Sequence, residues 1–204
     1  IMASTASPYG LKAVNHVGGT PYAGSTRLLS IASGYATNLY NGTIVQIGTD
    51  GTIQLMPSIG SAADPFDAGT IGVFVGCTYS DPVTKVLTFN QYWPANTVAA
   101  DAKAYVVDDP DVVFMVQADA PVAQTGLGGN VPLAEVQSGT TGSTVNGNSD
   151  IAADATYAAT DGIALRIVDF VDSPTSTVGD AFTDLLVKFN PVAHSYTNPT
   201  GVGD

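Results

Sequence analysis

Apolar and polar residues alternate in short runs along most of this chain, and turn residues separate the runs. "TIVQIGTDGTIQLM", residues 43 to 56, holds two alternating runs joined at Asp50-Gly51, a strong β-hairpin signal. "TIGVFVGCTYSDPVTKVLTFNQYW", residues 70 to 93, predicts a second hairpin turning at Ser80-Asp81-Pro82. On its second strand Val86, Thr88, Asn90 and Tyr92 alternate with Lys85, Leu87, Phe89 and Gln91. "KAYVVDDPDVVFMVQAD", residues 103 to 119, predicts a third pair, with Asp108 to Asp111 as the connection. "GIALRIVDFVD" at 162 to 172 and "DLLVKFNPVAH" at 184 to 194 read as two well-buried strands. No helix longer than a couple of turns is required.

The regular spacing of strands and turns predicts an all-β fold, an antiparallel sandwich or a jelly-roll or barrel-like domain. Three parts are expected. Residues 1–34 read as an extended N-terminal arm, because "SPYG" and "TPYAG" favour turn or extended backbone. Residues 35–190 form the β domain, with a loop-rich insertion around 120–162 where Gly, Ser, Thr, Asn and Ala dominate, and 191–204 form a C-terminal tail. In the arm, Tyr9, Tyr22 and Tyr35 recur 13 residues apart. Tyrosines on extended backbone can lie in a neighbour's apolar grooves, which makes these three, with Leu11 and Arg27, the candidate contact residues. Deleting residues 1–34 is then expected to abolish binding and spare the β domain.

Composition narrows the role. Charged residues are only 12% of the chain, about half the usual share, while 45% are apolar. Such a surface suits a protein whose faces are covered by partners. The net charge is −12, with 17 of the 18 acids aspartate, and the six basic residues are scattered singly. Nucleic acid is therefore an unfavourable partner. No run approaches the ~20 apolar residues of a membrane span, and the N-terminus shows no secretory signal, so neither membrane nor export is expected. The lone Cys77 sits in the apolar run "IGVFVGCTY" and reads as a buried small side chain.

Candidate chemistry is sparse. Asp108, Asp109 and Asp111 lack the spacing and terminal Glu of a helix-loop-helix calcium site. Asp and Pro ahead of a β-branched run read as a strand-leading turn, with an adventitious Ca²⁺ or Mg²⁺ site as the alternative. "FDAGT" at 66 to 70 approaches an aspartic-protease motif, but Ala68 stands in place of Thr and no second copy exists in the chain. His16 and His194 lie near opposite ends without a nucleophile motif, and "GLGGN" at 126 to 130 completes no nucleotide-binding loop. With one Cys, two His and one Glu (Glu135), a zinc site within one subunit would have to rely on carboxylates. The chain is expected to be no enzyme and to carry no cofactor.

Three segments carry a resemblance: Tyr9-Gly10-Leu11 to Val14, Gly19-Thr20-Pro21-Tyr22-Ala23-Gly24, and Tyr35-Ala36-Thr37-Asn38-Leu39-Tyr40-Asn41-Gly42. They resemble a group of small virion structural proteins of tailed bacteriophages, the capsid decoration or cement proteins. The resemblance continues through "VVDDPDVVFMVQAD" and the "LRIVDFVD" and "LLVKFN" runs, and its first third is the distinctive part. It implies a protein on the outer capsid surface that bridges adjacent major-capsid subunits of the lattice, as a homo-oligomer, dimer or trimer. A virion fibre or adhesin module binding host surface carbohydrate is the alternative.

Overall fold

The computed structural model describes residues 5–202. It is an all-β sandwich of two antiparallel sheets. One sheet contains, in spatial order, β1 (Lys12–His16), β8 (Val112–Gln117), β11 (Asp184–Phe189), β10 (Leu165–Phe170) and β9 (Asn130–Val131). The other runs β2 (Arg27–Ser30), β7 (Lys103–Val107), β5 (Thr70–Ser80), β3 (Thr43–Ile47) and β4 (Ile53–Leu55), with β6 (Leu87–Asn90) also paired to β5.

The alternation read from sequence is what packs the sandwich. Phe114, Val116, Leu185, Val187, Leu165 and Ile167 from the first sheet meet Ile44, Val73 and Val107 from the second in one buried cluster. Each such side chain contributes about 1.5–3 kcal/mol relative to leaving it in water. The second sheet is also buried on its other face. There Val45, Phe74, Cys77, Tyr79, Ala104 and Val106 lie under Ile31, Leu39, Trp93, Ala99 and Ala102, which come from irregular segments. Leu39 and Trp93 exchange backbone hydrogen bonds, so the cover is itself laced together. On the first sheet the described residues lay no comparable apolar cover over the outer face, where the segment at 5–7 bonds across Gln117 at one end of β8; we therefore call the second sheet covered and the first open.

Two predicted hairpins form as expected. β3 pairs with β4, and the Asp50 carboxylate accepts from the Thr52 N–H and hydroxyl at the turn. β5 pairs with β6, and Asp81 Oδ1 accepts from the N–H groups of Val83 and Thr84. The two late runs form strands β10 and β11, which pair with each other antiparallel. The third predicted pair does not exist. β7 joins the covered sheet beside β5, whereas β8 joins the open sheet between β1 and β11, so Asp108–Asp111 crosses from one sheet to the other. Four residues span the roughly 10 Å between packed sheets, and the same Asp-Pro chemistry serves either a hairpin or a corner.

The terminal segments are not separate from the domain. β1 pairs with β8 and β2 with β7, so residues expected in an arm supply the edge strand of each sheet. Leu11 is fully buried, and the Leu11 N–H donates to the Gly42 carbonyl. Deleting residues 1–34 would thus strip two strands and open the core. The tail from 191 likewise docks: Ala193 and His194 are buried, and the Ser195 N–H donates to the Thr70 carbonyl. Around 120–162 the chain is loop-rich as expected, with a short 3₁₀ turn at Gln124–Gly126. From that region Gln137 inserts between strands. Its Oε1 accepts from the Ile44 N–H at 2.8 Å and its Nε2 donates to the Met56 carbonyl at 2.9 Å.

Candidate partner-binding face

The outer face of the open sheet is built by the residues that alternate with its core set. Met115 pairs with Lys12 on one side and Leu186 on the other, and Leu186 pairs with Asp169. Residues opposite each other in an antiparallel ladder share a face, so these side chains form one band across β1, β8, β11 and β10. Val14 and Val168, at the two irregular positions of the edge-side strands, are 40% and 38% exposed. Within the band Val17, Val113, Val168 and Leu186 line a recess of about 200 Å³, bordered by Asn15 and Asp169. Asn15 Oδ1 is buried there without a hydrogen-bond partner.

Charge sets this face apart. Lys12, Arg166 and Lys188, half of the chain's six basic residues, sit on it. Arg166 and Lys188 are directly opposed across β10 and β11. Arg166 Nε donates to Asn130 Oδ1, and Lys188 Nζ pairs with Asp111 at 2.7 Å. The same face carries Asp169 and Asp184, and Lys188 is already paired with Asp111, so on a molecule of net charge −12 this apolar band is close to neutral rather than acidic.

The residues singled out from sequence fall in different places. Tyr9 stands at the margin of this face: its hydroxyl donates to Asp184 Oδ1 at 3.0 Å, and Lys12 Nζ lies 4.2 Å from its ring centre. Burial, reinforced by the Asp184 charge, holds the Tyr9 hydroxyl far above its ordinary range. Tyr35 instead works inside the protein, its hydroxyl accepting from the Leu55 N–H and its carbonyl from the Trp93 indole. Tyr22 packs against the main core and donates its hydroxyl to the Ser25 carbonyl. Leu11 has no exposed surface to offer a partner.

Arg27 belongs to the corner that "DDPD" makes. Its Nε lies 3.4 Å from Asp108, His16 Nδ1 lies 3.7 Å from Asp109, and Lys188 takes Asp111. Tyr196 donates to Asp108 at 2.7 Å, and Asp109 Oδ1 accepts from the Asp111 N–H. The Arg27 and Lys188 ion pairs and the His16–Asp109 contact, the close acid–base contacts found among the described residues, thus converge on one turn. The carboxylates are turned to separate cations rather than to a common point, and no group of three or more His, Cys, Asp or Glu among the described residues is arranged to hold a metal. The turn reading of this segment holds, as an inter-sheet corner.

His194 lies beneath that corner, with the rings of Phe189 and Tyr196 at 5.7 Å and 5.2 Å. Burial depresses its pKa, against the opposing pull of Asp108 and Asp109. With the folded value below the ordinary 6.5, the unfolded chain takes up the proton first as pH falls. Stability is full above 6.5 and declines below it; Asp111, held down by Lys188, adds a second loss as pH falls below 3.8. Melting temperature should therefore drop from about pH 7 to about pH 5, and His194→Gln should flatten that slope. An unchanged slope in the variant would assign the acid sensitivity elsewhere.

Asp67 lies on a second, larger concavity of about 310 Å³ with Gln46, Gln54 and Thr49, and is the one carboxylate among its described lining residues. Its carbonyl accepts from the Thr70 N–H and hydroxyl, the bonding of a turn leading into β5. Among the described residues lining this concavity Asp67 has no second carboxylate beside it to make an acid dyad. Among the described residues no helix is long and apolar enough to cross a membrane.

The uncovered face escaped the sequence reading because its members alternate like any strand residue; what marks them is the lack of a lid, a tertiary property. A scan against models of known protein families found no match, and neither did searches of curated proteins and of solved structures.

Proposed function

We propose that this chain is a virion structural protein of a tailed bacteriophage that decorates the outer capsid surface and cements adjacent major-capsid subunits. One observation carries the reading: of the two sheets, one is buried on both faces and the other leaves an apolar, cation-bearing band open. A sandwich that lids one sheet and not the other leaves that face for a partner. The net charge of −12 favours a position outside the shell, away from packaged DNA. The surface's low charge fits a protein held among neighbours, and the resemblance of its first third to decoration proteins points the same way.

In this reading the open sheet lies against the shell, with Val14, Met115, Val168 and Leu186 covered and Lys12 and Arg166 facing acidic groups of the capsid subunits. Binding across a junction of subunits selects the assembled lattice over free subunits, because several weak contacts form at once. The test is the copy number of this protein relative to the most abundant shell protein in gradient-purified particles, by quantitative mass spectrometry. Near-stoichiometric abundance is expected. A handful of copies per particle would favour a fibre or adhesin module, and absence from particles would overturn the virion reading.

A further inference from the structure

β5 is eleven residues long and outruns the open sheet. Its last residues, Cys77 to Ser80, pair with β6 alone on one side, so β6 is an edge strand with no described strand paired beyond it. The hairpin tip presents a cluster of exposed apolar side chains: Val83 is 86%, Val86 61%, Leu87 57% and Phe89 68% exposed. Leu87 and Phe89 pair with Ser80 and Thr78, on the face that packs against the open sheet further along β5, where no lid remains.

Exposed edges are ordinarily guarded by charge, proline, bulges or brevity. The others here are. β1 carries Lys12 and a bulge between Ala13 and Asn15, β2 begins at Arg27, and β4 and β9 are three and two residues long. β6 has none of the first three: "LTFN" holds no charge and no proline, and its register with β5 is unbroken.

We propose that β6 pairs antiparallel with β6 of a second copy of this chain, across a two-fold axis at Thr88. The sequence is self-complementary about that residue. With Thr88 opposite Thr88, Leu87 faces Phe89 of the other copy and Phe89 faces its Leu87. All four lie on one face, an aliphatic–aromatic cross-strand pairing formed twice. Electrostatics selects the same place. Each copy carries −12, yet the hairpin from Asp81 to Trp93 holds one acid and one base, Asp81 and Lys85, and sums to zero. Two such acidic chains meet with little repulsion there. The pairing leaves the open sheet free, and it does not rest on the capsid reading.

The experiment uses the purified full chain without particles. Sedimentation velocity across a concentration series should show a monomer–dimer equilibrium, and Phe89→Asp should weaken it at least about tenfold, a change of about 1.4 kcal/mol. Phe89 is exposed, so the variant's melting curve should match the parent's. Opposed residues of an antiparallel pair lie about 4.5–5.5 Å apart at Cα, within disulfide reach. Thr88→Cys should therefore give a covalent dimer on oxidation. Val145→Cys, at a 96% exposed site elsewhere, should not. Native Cys77 is buried, with its thiol pushed up to about 12, and stays silent. A chain that stays monomeric and uncrosslinked, a dimer indifferent to Phe89→Asp, or a dimer that Thr88→Cys fails to crosslink would each overturn the proposal.

Discussion

Gly72→Ala is expected to cost more than about 3 kcal/mol of folding stability, a large share of a single domain's margin. Gly72 lies in β5 at φ 148°, and a Cβ built there meets the Val107 carbonyl oxygen at 2.0 Å and its carbon at 2.9 Å. The atoms in the way are backbone, and they belong to the last residue of β7 before the inter-sheet corner. They cannot swing aside as a side chain could. β5 cannot retreat either, because β3 and β7 hold it from both sides over the same stretch. Gly128→Ala is the control: its φ is +80° and nothing lies within 4 Å, so it carries backbone strain alone, about 1 kcal/mol. Denaturant unfolding of the two variants should separate them by at least about 2 kcal/mol. Equal losses would mean that β5 and β7 do not approach this closely.

Trp93→Ala should cost about 3–5 kcal/mol, by the lost burial and the cavity left behind. Trp93 is fully buried at the centre of the lid over the covered sheet, edge-on to Tyr79 at 5.4 Å, with its indole N–H donating to the Tyr35 carbonyl at 3.3 Å. Its loss empties the middle of that lid while leaving the backbone hydrogen bonds between Leu39 and residue 93 in place. As the chain's one tryptophan, it also reports its own environment. Native emission should be blue-shifted and should move red in step with global unfolding. Red-shifted emission in the native state would contradict the lidded second face.

How much of this was legible beforehand follows from how local each signal is. The Asp50-Gly51 turn and the Asp81 turn fix their hairpins within a few residues, and both were read correctly. The strand content of 103–119 was also plain. Its pairing was not, because a hairpin and a corner ask the same of Asp108 to Asp111, and the choice depends on β1 and β2, far away in sequence. "KAVNH" carries no strong strand pattern of its own; its partner in β8 lies about a hundred residues on, so it read as an arm. Tyr35 and Leu11 read as exposed contacts because extended, glycine-punctuated sequence says nothing of what covers it. Gln137 offered no signal at all, since a buried amide that bonds strand ends looks in sequence like any loop glutamine. The candidate face was hidden for a related reason: Val14, Met115, Val168 and Leu186 differ from core residues only in what is absent above them.

The most direct measurement is cosedimentation of the purified chain with expanded shells stripped of it, comparing the parent with Leu186→Asp. The substitution places a charge in the middle of the open face, on a half-buried side chain outside the core cluster, and should leave the melting curve near that of the parent. Saturable binding that Leu186→Asp weakens at least about tenfold is the predicted result. Binding unchanged by the substitution, or no binding of the folded parent to such shells, would contradict the account.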